Sequence, residues 1–151
     1  MDIDTKKGGD LSIEEILEKA DWLIRENEPE RAVKLCRRAA RKHQKNERLF
    51  GVLGDALSET GQYRDAKTAF AKAVILAPDN PLLQARLAET LLECGKIAES
   101  LERVKVALEL DRDHAYATFV KAMVMEFAGQ DDVADFWYRR ATKLNRQEFF
   151  R

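Results

Sequence analysis

Residues 47–80 read ERLFGVLGDALSETGQYRDAKTAFAKAVILAPDN. Phe50, Leu53 and Leu57 recur at helical spacing in the first half, and Ala66, Phe70, Ala73 and Leu76 do so in the second. Between them stands Gly61, a residue type that ends a helix in the left-handed conformation without steric cost. The stretch therefore predicts helix, tight turn, helix within 34 residues. Outward from it the pattern recurs without insertion, giving blocks 13–46, 47–80, 81–114 and 115–148. The eighth place of each block holds Ala20, Gly54, Ala88 and Ala122. The twentieth holds Ala32, Ala66, Ser100 and Ala134, and the twenty-seventh Ala39, Ala73, Ala107 and Ala141. Small side chains at fixed places let helix backbones approach closely, where a leucine would hold them apart. The fifteenth place reads Asn27, Gly61, Gly95 and Gly129, so every block turns at the same point.

The periodicity predicts helices near 13–26, 30–44, 47–60, 63–76, 81–94, 97–110, 115–128 and 131–146. Local start signals agree. Ser12 and Glu15 form a capping box with Leu11 placed to staple onto Ile16, and Asn80 followed by Pro81 is an N-cap with proline in the first turn. Residues 1–12 read as a polar leader with the first N-cap, 13–148 as the repeat domain and 149–151 as a tail. The 151 residues are 45% hydrophobic and 35% charged, with 7 Gly and 3 Pro, too apolar for a disordered chain and too poor in turn formers for a β-sandwich. No apolar run approaches a membrane span and no cleavable signal is seen. Two cysteines, Cys36 and Cys94, make no disulfide framework, and a reducing, cytoplasmic setting is expected.

The second block, Leu53-Gly54…Leu57…Gly61-Gln62-Tyr63…Ala66…Phe70…Ala73…Pro78, resembles a tetratricopeptide repeat (TPR) almost column for column. The likeness covers 13–148 and weakens at the ends. Pro29 and Cys36 stand at the aromatic columns of block one, Lys121 where leucine is usual in block four, and Arg112 and Arg146 replace the closing proline. The resemblance implies an all-α, right-handed α-solenoid of four helix-turn-helix repeats and eight helices. It also implies that the first helix of each pair lines a concave groove, that proteins or peptides are the ligands, and that there is no catalysis.

The charge pattern adds to this. First-helix segments carry −4, −2, −1 and 0 from the N-terminal block onward, and second-helix segments +6, +1, −1 and 0. An acidic groove and a basic back follow. The family's groove places fall on Leu17, Asp21 and Ile24 in block one and on Arg48, Val52, Asp55 and Glu59 in block two. They fall on Leu82, Arg86, Glu89, Leu92 and Glu93 in block three and on Tyr116, Phe119, Met123 and Phe127 in block four. Carboxylates dominate one end and apolar or aromatic side chains the other, which suits an amphipathic, basic segment of a partner. The places at which co-chaperone TPRs grip a terminal carboxylate read Leu17, Asp21, Val52, Leu82 and Arg86, and only Arg86 fits.

Other features read as structural. The basic run Arg31, Lys34, Arg37, Arg38, Arg41, Lys42 and Lys45 lacks interleaved aromatics, and a solvated convex face is expected there in preference to nucleic acid. Asp131-Asp132 at a helix start suits capping, and His43 and His114 have no partners at metal spacing. No nucleophile, base and orienting group come together, so no catalytic residue, metal or cofactor is expected. Phe136-Trp137-Tyr138 with Phe149 and Phe150 gathers aromatics at the C-terminal end. Either the last helix buries them itself, or Trp137, Phe149 and Phe150 form an interface, a homodimer through the last repeat being one outcome.

Overall fold

The computed structural model describes residues 10–149. Among them are eight helices: α1 (Ile13–Arg25), α2 (Pro29–Ala40), α3 (Glu47–Glu59), α4 (Tyr63–Leu76), α5 (Pro81–Glu93), α6 (Ile97–Leu110), α7 (Ala115–Phe127) and α8 (Asp131–Phe149). Local chemistry sets several of their starts. Ser12 accepts from the Glu15 N–H while the Glu15 carboxylate accepts from the Ser12 N–H. The Asn46 side chain accepts from the Leu49 N–H at 3.0 Å, and that of Asn80 from Leu82 and Leu83 at 3.0 and 3.2 Å. His114 caps α7 through Nδ1, which accepts from the Ala117 N–H. Each first helix is followed by a left-handed residue, with φ of 62° at Asn27 and 74° at Gly61, Gly95 and Gly129.

Two expected ends move. α2 stops at Ala40 instead of continuing to 44, because Arg41 to Lys45 offers no apolar side chain to hold a further turn against the core. α8 passes 146 and runs to Phe149.

Consecutive helices pack on one another from α1 to α8, and first helices also meet one another, α1 on α3 and α5 on α7. Second helices make no comparable contact among the described residues, so the stack curves with first helices inside. The twelve small places are all buried, and Ala20, Ala32, Ala66, Ala73, Ala88, Ala107 and Ala122 have no exposure at all. Gly54 shows why size matters. A Cβ there would lie 2.7 Å from two ring atoms of Phe70. Ser100 takes a small place without stranding its hydroxyl, which donates to the Ala88 carbonyl at 2.6 Å. Leu23, Leu49, Leu57 and Phe70 fill the core between, each worth roughly 1.5–3 kcal/mol when fully buried. Cys36 is buried with them, and burial, with Asp21 nearby, pushes its thiol up to about 12.

Candidate functional site: an acidic groove on the first helices

The stagger of α1, α3 and α5 leaves a groove of about 690 Å³. Five carboxylates line it: Asp21 from α1, Asp55 and Glu59 from α3, Glu89 and Glu93 from α5. Their recurrence follows from the repeat. Places nine and thirteen lie one helical turn apart, so they share a face within each helix and align between helices. Arg25 and Arg86 are the cations in the same wall, beside Ile24, Ser58, Thr90, Tyr63 and Phe70.

Arg86 ties three repeats together on the groove floor. Its Nε lies 3.4 Å from Asp55 Oδ1 in repeat two, and its Nη1 lies 3.6 Å from Glu89 Oε2 in repeat three. Nη1 also donates to the Tyr116 hydroxyl of repeat four at 3.1 Å, with the guanidinium 4.5 Å from the Tyr116 ring centroid. Tyr116 donates in turn to Glu89. Burial raises Asp55 to about 6 against the opposing pull of Arg86, and Asp21, Glu89 and Glu59 add to the rise. Burial likewise holds the Tyr116 hydroxyl in its neutral form.

Of the residues expected to face a ligand, the groove gathers Asp21, Ile24, Asp55, Glu59, Arg86, Glu89 and Glu93. Leu17 and Leu92 are corrected: at 3% and 1% exposure they are core, because neighbouring helices cross too closely at those places to leave an opening. Val52 leans on the core and Met123 packs on the C-terminal cluster, whereas Arg48 and Leu82 sit exposed in the first turns of α3 and α5, outside the groove. Phe119 and Phe127 are exposed on α7, the former 5.6 Å from Tyr138. Trp137 is half-buried against the C-terminal cluster. Phe149 closes α8, but its side chain lies outside the described residues, as does Phe150. Tyr63, Phe70 and Thr90 were not expected in the wall. Tyr63 directly follows the turn at Gly61-Gln62, and that position was the available signal.

On the opposite face several cations of α2 and the turn after it have partners: Arg31 with Glu28 at 2.5 Å, Arg37 with Asp65 at 3.3 Å and Lys42 with Asp10 at 2.5 Å. Among the described residues no group of three or more His, Cys, Asp or Glu side chains is arranged to hold a metal, and no helix is long and apolar enough to cross a membrane.

A curved stack of helix pairs with a groove on the inner helices defines a helical-repeat scaffold. The sequence profile of the tetratricopeptide repeat matches residues 23–79 and again 59–123, and the chain belongs to that family. No curated protein matches it by sequence. Among solved structures it is similar to MamA (MSR-1), at 21% identity and TM-score 0.72 over 91% of this chain and 79% of that one. A second MamA crystal structure gives 14% identity and TM-score 0.77, covering 93% and 82%. A thermophilic TPR protein of Thermus thermophilus gives 17% identity and TM-score 0.81, covering 88% and 74%. These likenesses establish the fold.

Proposed function

We propose that this protein is a non-enzymatic adaptor or assembly chaperone whose groove receives an amphipathic, basic segment of another protein. Family membership supports a protein-interaction role, since such repeats are generally interaction modules. The observation that carries the finer reading is the convergence of Asp21, Asp55, Glu59, Glu89 and Glu93 from three repeats on one groove, against Arg25 and Arg86. Acids at helix starts would serve the helix dipole, but these stand in the later turns of their helices, where no such benefit exists. Apolar surface from Ile24 and Tyr63 lines the same wall and suits the other face of an amphipathic guest.

The test is titration of an amphipathic peptide rich in lysine and arginine, followed by fluorescence anisotropy at low and high salt. Affinity should fall as salt rises, and Glu59→Gln with Glu93→Gln should flatten that dependence. Salt-insensitive binding, or an unchanged slope in the double variant, removes the electrostatic reading. A second reading makes the C-terminal repeat an oligomerisation surface; exposure of Phe119, Phe127 and Phe136 favours it. Light scattering separates the two, since a strict monomer at high concentration ends the second.

A further inference from the structure

We propose that the seam between repeats three and four holds a second binding site, a pocket for a phosphate monoester carried on a flat apolar body. The pocket measures about 330 Å³ and is lined by Leu108, Arg112, Lys121, Phe136, Trp137 and Arg140. It shares no residue with the acidic groove and is built largely on the second helices, so both can be occupied together. Three cations converge in it. Arg140 Nη2 contacts Asp113 Oδ1 at 3.0 Å, while Arg112 and Lys121 make no ion pair among the described residues. Asp113 answers Arg140 alone, so Arg112 and Lys121 leave two positive charges in the lining, which a phosphate dianion neutralises and a carboxylate does not.

Lys121 is the cation best placed to receive an anion. Its Nζ is held 4.0 Å from the Trp137 ring centroid, partly withdrawn from water. Burial, then repulsion from Lys105, pulls its pKa below the ordinary lysine value. An anion beside Lys121 offsets that repulsion. Trp137 and Phe136 meet edge to face at 5.2 Å, and Phe136 stays 60% exposed, which leaves an aromatic surface beside the cations for a ring to lie on. Two of the residues are also the places where the fourth block and the end of the third depart from the repeat pattern. Lys121 stands where leucine is usual and Arg112 where the closing proline is.

The probe is phenyl phosphate, titrated into the full chain carrying Trp22→Phe, which leaves Trp137 as the sole indole. Binding is read by Trp137 fluorescence and by calorimetry. Saturable binding is expected, with inorganic phosphate weaker by about tenfold because it lacks the ring. Arg112→Gln and Lys121→Met should each weaken phenyl phosphate by about tenfold through loss of a charged contact. Arg112 lies in the exposed turn between α6 and α7, so its replacement leaves the fold intact and keeps the test decisive. A phosphotyrosine peptide binding tighter than phenyl phosphate would identify a partner's modified side chain as the source, and a nucleoside monophosphate binding tighter would identify a free metabolite. Absence of saturable binding, affinity unchanged from the wild type in the Arg112 and Lys121 variants, or inorganic phosphate binding as tightly as phenyl phosphate overturns the proposal.

Discussion

Two single residues show opposite ways in which the stack constrains its chemistry. Gly54 has no room for a methyl group, since the Phe70 ring is fixed in the core at 1% exposure. Gly54→Ala should destabilise by about 1–3 kcal/mol in urea unfolding, and Gly54→Leu by no less. Combined with Phe70→Leu, the loss should be smaller than the two separate losses added together, because the second change empties the space the first demands. Asp55 is a matter of protonation. Its folded value of about 6 lies above the ordinary 3.8, so the folded chain holds this proton more tightly than the unfolded chain does. The resulting stabilisation is complete below pH 3.8 and disappears as pH climbs through 6. With 40% of the side chain still open to water, the effect stays well below that of a fully buried acid. Relative to wild type, Asp55→Asn should therefore gain stability between about pH 4 and 6 in pH-resolved unfolding; a flat difference across that window would contradict the assignment.

At the scale of the element, helix ends are where this sequence speaks most clearly. Asn80 satisfies two N–H groups at the start of α5, so Asn80→Ala should cost about 0.5–2 kcal/mol, while Asn80→Asp retains most of the cap. Thermal unfolding of the two variants checks this. Ser12, Asn80 and the turn glycines announced their helices because capping and left-handed φ depend on neighbouring residues alone. The early stop of α2 was not legible from periodicity, since it reflects what the following turn lacks. The groove divides in the same way. The face carrying Asp21, Asp55, Glu59, Glu89 and Glu93 follows from place numbers within a helix. The burial of Leu17 and Leu92 and the reach of Arg86 to Tyr116 depend on how closely and at what angle neighbouring helices cross, which one helix's spacing does not encode. The pocket beside Trp137 was visible only as scattered departures from the pattern, at Arg112 and Lys121, until α6, α7 and α8 brought them together.

For the molecule as a whole, a stack whose units touch mainly their neighbours should lose structure from its ends. Native-state hydrogen exchange should find the amides of α3 to α6 best protected, with α1 and the last turns of α8 opening at lower free energy. Uniform protection along the chain would instead indicate a single cooperative unit. The tie at Arg86 bears on what the hollow admits. A guanidinium tethered beside Asp55 and Glu89 is present at an effective concentration that no lone ammonium from solution can rival. A visiting segment must therefore bring several cations at once, spaced to reach Asp21, Glu59 and Glu93 while the floor stays occupied. The resident arginine thus sets an entry threshold that favours dense clusters of positive charge over isolated ones.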